Sequence, residues 1–82
     1  MAKFIYWIKS NPENDNLGVY TNKKLVWEES LKIIGVGSLE SGSGFAHNYV
    51  KLCRLFRTNK TVYIGNLTTQ RMISVEKVEL NE

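Results

Sequence analysis

FAHNYVKLCRLFRT, residues 45–58, is apolar on one helical face and basic on the other. Wound at about 100° per residue, Phe45, Tyr49, Leu52, Cys53 and Phe56 share one side. His47, Lys51, Arg54 and Thr58 share the opposite side. The spacing predicts an amphipathic helix that buries one face and presents a short basic stripe on the other. Such a helix needs another layer to bury against, and the flanking sequence supplies it.

Downstream, Thr61–Ile64 is rich in strand formers, and Gly65–Asn66 reads as a two-residue hairpin turn. Leu67 onward then returns as a longer strand. Ile73 and Val75 share a face, whereas Val78 and Leu80 have the other parity, which predicts a bulge near Glu76–Lys77. Upstream lies GVGSLESGSG, residues 35–44, with four of the six glycines. It has neither the Gly-Lys-Ser/Thr of a P-loop nor GxGxxG spacing, so it reads as a mobile surface connector with Ser43 capping the helix after it.

Before the connector, Thr21 or Asn22 is placed to cap a first helix running to about Ile34. Val26, Trp27, Leu31, Ile33 and Ile34 form its broad apolar face, Leu25 falls outside it, and Gly35 is the natural stop. Glu28 and Lys32 make an i,i+4 pair. The chain opens on a strand, Phe4–Lys9, with Phe4, Tyr6 and Ile8 on one face and Ile5 and Trp7 on the other. A strand apolar on both faces is central or covered on both sides. Ser10–Asn16 is a polar turn with the only proline, and Leu17–Tyr20 is a short second strand. The expected fold is α+β, in the order β-β-α-α-β-β, an antiparallel sheet packed against two helices in one domain over residues 1–82.

Composition agrees with a folded chain: 43% of residues are hydrophobic and 23% charged, with one proline. No apolar run approaches the ~20 residues that span a bilayer, and the opening MAKFIYWIKS reads as a strand rather than a signal peptide. A single cysteine, Cys53, on an apolar helix face is expected to act as a small hydrophobe. Without a disulfide framework the chain is expected in a reducing cytoplasm. One cysteine and one histidine make no zinc site, and no cofactor is expected.

Catalysis has no motif. His47 is the only histidine, and Cys53 stands six residues on, about 120° round the helix. The carboxylates are scattered. A non-enzymatic binding protein is the expectation, and a net charge of +3 with a pI near 9.1 permits phosphate contact. Two helices followed by a hairpin suggest a helix-turn-helix with a wing, its second helix reading a groove. Lys51 and Arg54 would then touch phosphates or base edges of DNA or RNA, with His47 and Asn48 beside them. Arg57, Lys60 and Arg71 would extend the surface. The aromatics Phe4, Tyr6, Trp7, Tyr20 and Trp27 are expected mostly to fill a thin core. The two-sided apolar first strand suggests an alternative, a protein-binding inhibitor or adaptor, with the edge of that strand adding to a partner sheet or to a second copy in a homodimer.

Gly18-Val19-Tyr20-Thr21-Asn22, then Trp27 and Leu31, then Tyr49-Val50-Lys51-Leu52-Cys53-Arg54, then Val62-Tyr63-Ile64-Gly65-Asn66 resemble the small NUMOD-type DNA-binding modules attached to phage and mobile-element endonucleases. The resemblance covers about two-thirds of the chain, and the glycine connector departs from it. It implies a short strand, helices and a returning strand, with a helix on DNA. Small size without motifs also resembles phage accessory proteins, anti-CRISPR and other anti-defence inhibitors among them. That resemblance implies a host protein of nucleic-acid metabolism or defence as partner, met in the host cytoplasm.

Overall fold

The computed structural model describes residues 3–11 and 13–80. Pro12, in the expected turn, lies outside them. The elements are β1 (Lys3–Ser10), β2 (Asn16–Tyr20), α1 (Lys23–Ile34), α2 (Tyr49–Leu55), β3 (Thr61–Asn66) and β4 (Arg71–Leu80). The strands form one antiparallel sheet in the order β2-β1-β4-β3. The expected α+β order and the central place of the two-sided first strand are both observed, and with β2 on one side and β4 on the other that strand has no open edge for a partner sheet or a second copy, contrary to the alternative expectation. No helix among the described residues is long and apolar enough to cross a membrane.

Both helices pack on one face of the sheet. Tyr6 and Ile8 from β1, Val62 and Ile64 from β3, and Ile73 and Val75 from β4 meet Val26, Trp27 and Ile34 from α1 and Leu52 of α2. Phe56, just past α2, closes the core, its ring 5.2 Å from that of Tyr6. The other face carries Ile5, Trp7, Tyr63, Val78 and Leu80 and has no helix over it. Trp7 is occupied there: its Nε1 donates to Asn16 Oδ1 at 2.8 Å, and Lys9 Nζ stands 4.1 Å from its ring.

Local chemistry explains α1. The Asn22 side chain accepts from the amides of Lys24 and Leu25, so Asn22 rather than Thr21 is the cap. Gly35 ends the helix at φ 83°, with its N–H on the Leu31 carbonyl. Ser30 joins the buried face by donating its hydroxyl to Val26 O at 2.6 Å. Lys32 pairs with Glu29 at 3.4 Å and not with Glu28.

Three expectations are corrected. The hairpin turn is Leu67–Gln70, not Gly65–Asn66, which remain in strand opposite Met72 and Arg71. Gln70, at φ 61°, takes the left-handed position, and its N–H reaches Asn66 O at 2.8 Å. β4 has no bulge near Glu76–Lys77, because its pairing with β1 runs unbroken from Lys3↔Leu80 to Ser10↔Ile73. The parity changes because Lys77, not an apolar residue, takes the helix side. There its Nζ donates to Phe56 O at 2.6 Å and stands 4.8 Å from the Phe4 ring. The irregularity in the sheet lies instead between Ile8 and Lys9 in the β1–β2 pair.

The third correction is the connector. It is hydrogen-bonded along the outer edge of β3: Glu40 N to Gly65 O, Leu67 N to Ser38 O, Ala46 N to Tyr63 O and Tyr63 N to Gly44 O, all within 3.0 Å. An edge strand leaves a row of unpaired backbone groups, and the connector satisfies them.

Burial gives Tyr6 a pH signature. Its hydroxyl is pushed above the ordinary 10.0, first by burial and then by the nearby Cys53. The folded chain therefore holds this proton more tightly than the unfolded chain. Its contribution to stability is complete below about pH 10 and is lost as pH rises beyond that. Thermal melts across this range should show alkaline destabilisation that shrinks in Tyr6→Phe. An unchanged pH profile in that variant would contradict the assignment.

Candidate nucleic-acid interface

The helix bearing the basic stripe is shorter than its periodicity suggests. α2 has seven residues, so its length is about 10 Å. Its cap is Asn48, not Ser43: the Asn48 side chain accepts from Lys51 N at 2.8 Å. Phe45 does not belong to the helix. Its backbone bridges Tyr63, and its ring lies 5.7 Å from the Tyr63 ring and against Gly65, on the side of the sheet away from α2. The Phe45/Tyr49 spacing is thus an accident of two different environments. The helix stops at Leu55 and tightens into a turn, where Thr58 N and Asn59 N both bond Leu55 O.

A helix of two turns is marginal alone and stands by its packing. Leu52 and Phe56 are buried, while Tyr49, Cys53 and Leu55 are half-buried. The Tyr49 hydroxyl is held above its ordinary value, first by its hydrogen bond with Cys53 and then by burial. Cys53 is a free thiol, half-buried on the same side.

Val50 and Arg54 of α2 are exposed, as are His47 before it and Arg57 and Lys60 after it. Val50 is 64% exposed, so the stripe is interrupted by one apolar side chain. Arg57 and Lys60 come together at a cavity of about 520 Å3 whose other walls include Phe4, Phe56, Lys77 and the carboxylates Glu76 and Glu79. The ion pairs among the described residues are Lys9–Glu76 and Lys32–Glu29, so Arg54, Arg57 and Lys60 have no carboxylate partner there.

Three of the expected contact residues are engaged internally. Asn48 spends its side-chain oxygen on the cap. Lys51 is half-buried, and its Nζ donates to Ser41 O at 3.1 Å and Gly42 O at 3.4 Å, tying the connector to α2. Arg71 donates from Nη1 to Ile33 O at 3.1 Å, at the C-terminal end of α1. It pairs with Asn66 at the far end of β3. Six residues of strand separate it from Lys60, about 20 Å at 3.3 Å per residue. Arg71 therefore stands apart from Arg57 and Lys60.

The helix-turn-helix expectation also fails on geometry. Fourteen residues, Gly35 to Asn48, separate the helices, where that motif has a short turn. β4 of the final hairpin lies inside the sheet between β1 and β3, so the hairpin does not project as a wing. What remains is Arg54 exposed on α2, and Arg57 and Lys60 at a cavity just past it that also holds Lys77, Glu76 and Glu79. Sequence reasoning missed Lys77 and Phe4 at that cavity, although the parity break at Lys77 was their signal. A second signal is the charge pattern: residues 41–75 contain five Lys or Arg and no Asp or Glu. Among the described residues no group of three or more His, Cys, Asp or Glu is placed to hold a metal ion. Comparison with protein-family models, with characterised proteins and with solved structures gives no match.

Proposed function

We propose that this chain is a small binding protein, not an enzyme, that contacts the phosphate backbone of nucleic acid through Arg54, Arg57 and Lys60, with His47 at the margin of the surface. The observation that carries this reading is that Arg57 and Lys60 meet at one cavity and Arg54 is exposed on α2, with none of the three ion-paired to a carboxylate among the described residues. Exposed cations in water gain little from one another, but each phosphate they meet releases condensed counterions. Arginine also offers a planar fork that matches a phosphate. The two arginines and the lysine fall within seven residues, 54–60, enough for a few phosphates and too few for a code of base contacts. Affinity is therefore salt-dependent and weakly selective for sequence.

Fluorescence-anisotropy titration with single- and double-stranded DNA at about 50 mM and about 200 mM salt tests this. Binding in the micromolar range at low salt that weakens about tenfold or more at high salt is the expected result. No binding to either oligonucleotide at low salt would contradict it. The uncovered sheet face with Ile5, Trp7, Val78 and Leu80 favours one second reading, a phage-type inhibitor or adaptor that docks on a host protein. A nuclease-treated pull-down from host lysate that recovers a stoichiometric protein partner would select it.

A further inference from the structure

The cavity past α2 lies between the turn that follows the helix and the paired ends of β1 and β4. Its volume of about 520 Å3 falls within the roughly 300–1,000 Å3 of small-molecule sites. Side chains alternate along β4, so Lys77 and Glu79 stand on the helix side of the sheet and Glu76 and Val78 on the other. The Glu76 carboxylate is spent on that other face, where it accepts from Lys9 Nζ at 2.8 Å. Glu79 is left as the carboxylate on the cavity side. Phe4 is its partner across the β1–β4 pair and shares its face, so an aromatic wall stands beside the carboxylate.

Arg57 and Lys60 line the same cavity, yet neither pairs with Glu79. The side chains of Arg57, Lys60 and Glu79 make no hydrogen bond or ion pair among the described residues. Lys60 O accepts from Lys77 N at 2.7 Å, and Glu79 is two residues further along the strand, about 7 Å at roughly 3.3 Å per residue. Opposite charges are thus held apart along one cleft, with the ring at the carboxylate end. That arrangement suits a ligand that is anionic at one end and flat, with hydrogen-bond donors on its edge, at the other. A lone phosphate would leave Phe4 and Glu79 unused. Guanine presents N1–H and N2–H side by side, and these match the two oxygens of a carboxylate. Adenine and cytosine each set one amino donor beside a ring acceptor, which a carboxylate repels.

We propose that this cavity binds one guanine nucleotide, with its phosphate on Arg57 and Lys60, its base against Phe4 and its Watson–Crick edge on Glu79. The proposal rests on the assignment of Arg57 and Lys60 as phosphate contacts and names the unit they hold. Free guanosine 5′-monophosphate and the 5′-phosphorylated guanosine end of a single strand carry this same chemistry.

NMR titration of the isotope-labelled native chain tests it. Guanosine 5′-monophosphate should bind with a Kd below about 1 mM and shift the amide signals of Phe4, Arg57, Lys60, Lys77 and Glu79. Guanosine without its phosphate, and adenosine 5′-monophosphate, should each bind about tenfold more weakly. Lys60→Ala should weaken both monophosphates alike, by about fivefold, whereas Glu79→Gln should bring the two within about threefold of each other. Both residues are exposed, so neither substitution disturbs the core. A short single strand beginning with 5′-phosphoguanosine separates the two sources: tighter binding than the free nucleotide identifies the strand end, and affinity no higher identifies the free nucleotide. No saturable shift by about 5 mM guanosine 5′-monophosphate, with salt-dependent duplex binding intact, would overturn this proposal and leave the phosphate-backbone reading standing. Nucleotide binding without any duplex binding at low salt would overturn that reading instead. Equal affinity for the guanosine and adenosine monophosphates would also overturn the proposal.

Discussion

Asn66→Ala is expected to lower the unfolding free energy by about 3 kcal/mol and the melting temperature by roughly 15 °C. Asn66 is 2% exposed and joins three parts of the molecule. Its Nδ2 donates to Ile34 O at 3.2 Å and Gly35 O at 2.9 Å, at the end of α1. Its Oδ1 accepts from Thr68 N at 2.8 Å and Thr69 N at 3.0 Å, in the β3–β4 turn. A buried group left unsatisfied costs about 1–3 kcal/mol. The total stays below the sum of four such costs. Ile34 O keeps the Thr69 hydroxyl at 2.8 Å, and the exposed Thr68 and Thr69 amides can turn to water. Asn66→Asp preserves the shape but removes both donors and turns an anion toward two carbonyls, so it should cost at least as much. A melting temperature within about 3 °C of native in either variant would remove Asn66 from this role.

Phe56→Ala is expected to cost about 4 kcal/mol, a large part of the 5–15 kcal/mol that holds a domain folded. The ring fills the space between α2 and Tyr6, and the Phe56 carbonyl is the acceptor for Lys77. A seven-residue helix has little stability of its own, so losing this ring releases α2 from the sheet. Amide exchange across residues 49–55 should then rise far more than across β1 and β4. Phe56→Leu, which keeps most of the volume, should cost less than about 1.5 kcal/mol. Uniform exchange across helix and sheet in Phe56→Ala would mean that α2 does not depend on this contact. Because Arg54 and Arg57 ride on the same segment, DNA affinity should fall with α2 protection.

The features that sequence revealed are those set by near neighbours. The alternation in Phe4–Lys9 marked a strand apolar on both faces, and β1 is central. Asn22 and Gly35 marked the ends of α1, and both act as caps. What sequence hid was set by distant partners. Ser43 and Asn48 are both good caps; the choice falls to Asn48 because Gly44–Ala46 is needed along the β3 edge. Gly65–Asn66 has turn chemistry, but the Asn66 amide is claimed by the end of α1, thirty-two residues away at Ile34, and the turn moves on. The same holds at the candidate site. The basic stripe was visible in the 45–58 periodicity, and Arg54 and Arg57 do face outward. Lys51 and Arg71 read as equivalent cations, yet each is bonded to backbone carbonyls that no local pattern could place beside it.

The central claim, that Arg54, Arg57 and Lys60 form a phosphate-contacting surface, is tested most directly by the salt slope of DNA binding. The native chain and Arg54→Ala/Arg57→Ala/Lys60→Ala are titrated against one duplex of about 20 base pairs over a series of salt concentrations, with Lys32→Ala as a charge control on α1. The triple variant should lose about 2 to 3 units of log–log slope, nearly one for each phosphate released, and about tenfold or more in affinity at low salt. Lys32→Ala should leave both within error. A triple variant with native slope and native affinity would contradict the assignment of this surface.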